Sequence, residues 1–154
     1  RPAPTESLRP RRSLWACVLI GAGLMAAVDE IVFHQILGWH HFWDRSTPAV
    51  GLMSDGLLHT AELLALVAGF ALVGDLLRRG ALSRGHAVAG LFLGTGGFQL
   101  LDGVLVHKVL RLHQIRYGVD ILPYDLAWNG FAVVLLVIGA LLAVRAHRRT
   151  GTAR

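Results

Sequence analysis

The chain has 154 residues, 54% of them hydrophobic, and a formal net charge of +5. Its length bounds it to one compact domain, and its apolar residues run in uninterrupted blocks that a water-soluble core does not need. The single cysteine, Cys17, excludes an internal disulfide and any cysteine-based zinc or iron–sulfur site. Nucleic acid is excluded as a partner because the arginines gather at the chain ends and in one short loop.

In chain order, residues 1–13 form a basic segment with Arg1, Arg9, Arg11 and Arg12. The first apolar block, 14–37, contains Cys17, read as a small packing residue, and closes on Asp29, Glu30 and His34. His40 and His41 follow just beyond Gly38. The second block, 55–77, comes after Pro48 and opens on Asp55, His59 and Glu62. A short loop with Arg78, Arg79 and Arg84 leads to the third block, 86–110, which carries Gln99, Asp102 and His107, with His113 just beyond. Gly90, Gly94 and Gly97 form a small-residue stripe on it that suits close helix packing. Pro123 precedes the fourth block, 124–144, with Asp125 and Asn129 near its start. A basic tail, 147–154, ends the chain.

Each block is long enough to cross ~30 Å of hydrocarbon at ~1.5 Å per helical residue. None alternates like a strand, and a backbone in lipid must satisfy its own hydrogen bonds. The predicted class is therefore all-α, an integral membrane four-helix bundle formed by residues 14–146. Arg1, Arg9, Arg11, Arg12, Arg78, Arg79, Arg84, Arg145, Arg148, Arg149 and Arg154 fall on one side of it, and Arg45, Lys108, Arg111 and Arg116 on the other. The positive-inside rule then places both termini in the cytoplasm. Trp15, Trp39, Trp43 and Trp128 lie near helix ends, as interfacial aromatics do. A basic start before an apolar run also describes a signal peptide, but here the first block has an internal twin.

That twin appears when residues 16–41 are slid onto 89–114. Ala16, Gly21, Gly23, Asp29, His34, Leu37 and His40 meet Ala89, Gly94, Gly96, Asp102, His107, Leu110 and His113. At a slightly smaller offset Asp55 meets Asp125, and His59 meets Asn129. Two parallel-repeat hairpins are predicted. Matched Asp and His carry this reading, since a charged residue at mid-membrane costs ~2.5–3.5 kcal/mol on insertion scales.

Six of the eight histidines gather at one end: His34, His40, His41, His59, His107 and His113. At ~100° per residue, Asp55, His59 and Glu62 fall within an arc of roughly 60°, and Glu30 and His34 are one turn apart. By the same rule Asp102 and His107 stand ~140° apart and face different neighbours unless the helix is distorted. Neutral imidazoles and carboxylates together suit zinc, iron or copper, with a carboxylate acting as ligand or as the acceptor that fixes a histidine tautomer. His34, His59 and His107 are the expected ligands. Asp29, Glu30, Asp55, Glu62 and Asp102 are ligands or acceptors, and His40, His41 and His113 complete the candidate set. The bland readings are that His40, His41 and His113 touch lipid headgroups, that Asp55 and Asp125 cap their helices, and that the remainder is a polar network locking helices together. Against the last, interhelical polar bonds average only ~0.6 kcal/mol in membranes.

The stretches Asp29-Glu-Ile-Val-Phe-His34-Gln-Ile-Leu-Gly-Trp-His40-His41, Asp55-Gly-Leu-Leu-His59, Asp102-Gly-Val-Leu-Val-His107 with His113, and Asp125-Leu-Ala-Trp128 resemble a family of small bacterial membrane proteins with four helices and no established activity. The resemblance covers nearly the whole chain outside the termini and implies membrane location and topology. Against the family's pattern, Glu30 stands where glycine is usual, and Lys108 and Gln114 where histidines are common, which implies unequal sites with the better one in the first hairpin.

Several functions compete on these residues. The leading one is a metal-binding membrane protein, open to the extracytoplasmic side, that handles copper or iron for respiratory enzymes or acts as a small oxidoreductase. A second is haem b held between His34 and His107. A third is a proton or ion path, for which helix four offers no ionisable group from Leu126 to Val144. A fourth is an accessory subunit of a larger membrane complex or a homo-oligomer.

Overall fold

The computed structural model describes residues 7–151; residues 1–6 and 152–154, and with them Arg1 and Arg154 of the basic ends, lie outside the described residues. Four helices follow one another: α1 (Pro10–Ile36), α2 (Pro48–Arg78), α3 (Arg84–Leu110) and α4 (Leu122–Gly151). All four are long and apolar enough to cross a membrane. Proline opens α1 and α2, where its missing N–H costs nothing. The Thr47 hydroxyl accepts from the Val50 N–H as the N-cap of α2. Because α2 starts at Pro48, Asp55 sits two turns inside it, and the capping role considered for Asp55 does not apply.

The helices pack as a row, α2–α1–α3–α4, and not as a closed bundle: among the described residues α1 packs on α2 and α3, and α3 on α4. The outer helices therefore expose most of their apolar surface, with Leu57, Leu64 and Val67 of α2 and Leu126 and Leu141 of α4 more than half exposed. In lipid that exposure has no hydrophobic cost.

Glycines decide how closely the row packs. A Cβ on Gly21 would collide with the Leu91 carbonyl of α3, and one on Gly94 with the Val18 carbonyl of α1. Gly90 meets the Leu14 carbonyl in the same way. The third member of the expected stripe, Gly97, faces open space, and its neighbour Gly96 instead packs on the Ala132 carbonyl of α4. Gly94→Val must push α1 and α3 apart and is expected to destabilise by about 1–3 kcal/mol or more, as overpacking does. Gly97→Val is the matched control, and melting in detergent distinguishes them.

One end of the row is basic. The Arg9 N–H donates to the Ala81 carbonyl (2.9 Å), the Ser83 N–H donates to the Ser13 hydroxyl (3.0 Å), and Gly85 abuts Ala146. Arg12, Arg78 and Arg79 surround Asp75 at 3.0–3.4 Å. His86 is buried there against the Ser83 hydroxyl. The opposite end is closed by loops 37–47 and 111–121, joined by the Asp44 N–H donating to the Leu112 carbonyl (3.1 Å). Trp15 and Trp43 are exposed as interfacial residues are, but Trp128 is buried with Met25 and Ile115, and Trp39 packs between Phe33 and Tyr124.

At this second end α1 and α3 change pitch. Asp29–Ile36 and Leu101–Leu110 are π-helical. Each then stops on a left-handed residue, Gly38 (φ 56°) and Arg111 (φ 52°).

Candidate metal centre

A π-helix bonds i to i+5 and so stacks residues five apart. This places Asp102 beside His107, with Oδ2 3.1 Å from Nε2, and Asp29 beside His34, with Oδ2 3.6 Å from Nε2. The ~140° separation expected of Asp102 and His107 is thereby corrected: the helix is widened over these residues.

Four imidazoles form a row between α1 and α3, in the order His34, His40, His113, His107. Neighbouring ring centroids lie 4.4, 4.4 and 4.6 Å apart, and His40 and His113 are stacked with planes 8° apart. All four are buried. The loops put the middle two there: Gly38 turns the chain so that His40 folds back over His34, and Arg111 does the same for His113. His40 and His113 are therefore not the headgroup-facing residues considered from sequence.

Hydrogen bonds set the tautomers. A carbonyl only accepts, so His40 donates its Nδ1–H to the Ile115 carbonyl (2.9 Å) and His113 donates its Nδ1–H to the Phe42 carbonyl (2.9 Å). His34 donates its Nδ1–H to Asp55 Oδ1 (3.0 Å). Each then has a lone pair on Nε2. The Nε2 atoms of His34 and His40 are buried with no hydrogen-bond partner, and that of His113 faces His107 Nε2 at 2.9 Å. An oxygen acceptor behind the distal nitrogen is the arrangement that orients imidazole ligands.

Three groups of side chains bring their ligand atoms within 4.8 Å of one another: His34, His40 and His113; Asp102, His107 and His113; and Glu30, His34 and Asp55. A tetrahedral ion with ~2.1 Å bonds spaces its ligands about 3.4 Å apart, within reach of small side-chain rotations. These buried groups can hold a metal ion. His40 and His113, both in the candidate set, share one spacing: Asp-x4-His-x5-His occurs twice, at Asp29/His34/His40 and Asp102/His107/His113.

The first hairpin carries further polar groups. Asp55 accepts from the Phe42 N–H (2.7 Å) and from His41 Nδ1 (2.5 Å) in addition to His34. Glu30 Oε2 lies 3.0 Å from His34 Nδ1 but at an angle that makes no hydrogen bond, and Glu30 Oε1 accepts from Gln35. Glu62 is buried, whereas His59 is about half exposed and turned onto it (2.5 Å). His59 belongs to none of the three groups and lines a groove with Glu30 instead. His41 lies beyond the end of α1 and meets Asp55. The space between His34 and His107, where a porphyrin was considered, is filled by His40 and His113.

Charge sharpens the picture. Among the described residues, five acidic side chains, Asp29, Glu30, Asp55, Glu62 and Asp102, are buried. Among the described residues no Lys or Arg pairs with them; their ion-pair partners are histidines. Burial, with repulsion from His113, His34 and His107, pushes the His40 pKa down to about 2. Burial and His107 push that of His113 down to about 4, against the pull of Asp102. Both rings are thus neutral at pH 7 and able to bind metal. An unfolded histidine takes its proton near pH ~6.5, so below that pH the unfolded chain binds more protons at these positions and their contribution to stability falls. The melting-temperature advantage of metal-free wild type over His40→Asn is expected to shrink steadily from pH 7 to pH 5.

Residues 16–146 match the family described as "Predicted membrane protein (DUF2243)", and the chain belongs to that family. No curated protein and no solved structure matches it.

Proposed function

We propose that this member of the family binds a transition-metal ion, copper, iron or zinc, between α1 and α3 at the end of the membrane opposite the basic end. The observation that carries the reading is the set of three Nδ1-anchored imidazoles, His34, His40 and His113, whose ligand atoms lie within 4.8 Å of one another. Asp29, Asp102 and His107 flank that set, and the buried carboxylates around it lack a Lys or Arg counter-charge. An uncompensated buried charge is costly, and a divalent cation offsets it.

The two hairpins are read as a parallel repeat about an axis along the membrane normal. Support comes from paired features 73 residues apart: the Asp, His and His triplets, the π segments, the Gly21 and Gly94 collisions, and the left-handed residues at 38 and 111. The centre then sits on the axis, where each half contributes one Asp and two His. The basic end, with Arg9, Arg11, Arg12, Arg78, Arg79, Arg84, Arg145, Arg148 and Arg149, is assigned to the cytoplasm of a bacterial plasma membrane. The centre lies beneath the loops at the extracytoplasmic end, the place for a protein that receives and passes on a metal ion or carries out a small redox reaction there. The apolar outward faces of α2 and α4 are left for lipid, a larger membrane complex or a second copy of the chain.

Elemental analysis and an absorption spectrum of the detergent-purified full chain test the reading. At least one ion per chain is expected. Substoichiometric metal, unchanged by His40→Ala or His113→Ala, overturns it.

A further inference from the structure

We infer that the first hairpin holds a second divalent-cation site, formed by Glu30, Asp55 and the Nδ1 of His34, so that His34 bridges two metal ions. This rests on the reading of the His34, His40 and His113 centre above and extends it to a dinuclear one.

His34 Nδ1 lies 3.0 Å from Asp55 Oδ1 and 3.0 Å from Glu30 Oε2. One N–H cannot serve two carboxylates well, and Glu30 Oε2 is left without a hydrogen bond although Glu30 is only 2% exposed. A cation with bonds of ~2.0–2.2 Å would occupy the middle of this triangle and serve all three atoms. His41, 2.5 Å from Asp55 Oδ2, stands close enough to join or to hold Asp55 in place. A groove of about 340 Å³, lined by Glu30, Ile31, Gln35, Leu52, Gly56 and His59, leads to Glu30 and supplies an entry path with room for water ligands.

The second hairpin shows what removes the need for such an ion. At the repeat offset Glu30 becomes Gly103 and Gln35 becomes Lys108, and the Lys108 ammonium lies 2.5 Å from Asp125 Oδ2, the counterpart of Asp55. One half has one carboxylate fewer and a built-in cation. The other has the extra carboxylate and a neutral amide. A donor set of one imidazole nitrogen and two carboxylate oxygens selects a borderline or hard divalent ion, Zn(II), Fe(II), Mn(II) or Cu(II), over Cu(I). On binding, the ion takes the Nδ1 lone pair and the Nδ1 proton leaves to water; no electron is transferred.

The test uses the full chain in detergent, loaded with Cu(II) and separately with Zn(II), in wild type, Glu30→Gly and Gln35→Lys. Expected are about two ions per wild-type chain and about one in each variant. The isolated Cu(II) paramagnetic signal should be weak in wild type, where the bridge couples the pair, and strong in both variants. Gln35→Lys changes an exposed side chain and keeps the fold testable if Glu30→Gly does not express. Wild type saturating at one ion, or two ions retained in the variants, overturns the second site and leaves the first standing. No ion in any of them overturns both.

Discussion

Replacing His40 by alanine is expected to weaken metal binding by more than the roughly 10–100-fold that loss of an orienting partner costs, while His59→Ala leaves binding within a factor of about two. His40 is the middle of the row, with its ring 4.4 Å from those of both His34 and His113. Its Nδ1–H is held by the Ile115 carbonyl, so its free nitrogen is pre-oriented, and the variant loses a ligand and not an accessory contact. His59 is about half exposed and paired with Glu62 on α2. Competition titration against a chelator of known affinity measures both. Equal loss in the two variants, or none in His40→Ala, contradicts the arrangement. The comparison is discriminating because residue type and helical position alone rank His59 above His40.

Asp55→Ala is expected to cost about 3–5 kcal/mol of stability and, in whatever protein folds, 10–100-fold in metal affinity. One carboxylate there serves three donors: His34 Nδ1, the Phe42 N–H and His41 Nδ1. Removing it strands the buried His34 donor at about 1–3 kcal/mol, leaves the partly buried Phe42 and His41 donors without their acceptor, and breaks a network of the kind that costs about 3–5 kcal/mol. It also frees His34 to change tautomer. The loop that delivers His40 is pinned at Phe42, so the damage reaches both ends of the histidine row. Asp125→Ala, at the corresponding position of the other hairpin, removes a half-exposed pair with Lys108 and should cost about 0–1 kcal/mol. Melting in detergent and hydrogen exchange at the Phe42 amide report the difference; equal costs at the two positions would show that Asp55 does not organise the site.

The four spans were legible because lipid leaves a chain few choices. A run of apolar residues long enough to cross must be helical, so composition alone specified the elements, and the clustering of Asp, Glu and His near one end was readable from their positions along those runs. Which of them share a site was not. The angular rule assumes an ordinary α-helix, and it fails where α1 and α3 widen into π segments that bring Asp29 to His34 and Asp102 to His107. It also says nothing of residues beyond a helix end, and His40 and His113 lie there; two left-handed turns and a hydrogen bond between the loops carry them into the interior. His59 is placed differently. Its place on a polar stripe was real, but α2 sits at the edge of the row, so the margin of that stripe faces outward.

Sequence by itself thus determined the membrane-spanning helices, the basic end and the inventory of donor groups, since burial in lipid and the cost of charge depend on residue type and spacing alone. Only the tertiary structure decided the row order of the helices, the burial of His40 and His113, and which nitrogen of each imidazole is left free. Those depend on close backbone approach at Gly21 and Gly94, on helix pitch and on carbonyls contributed by a distant loop, all of them relations between segments that no local pattern encodes.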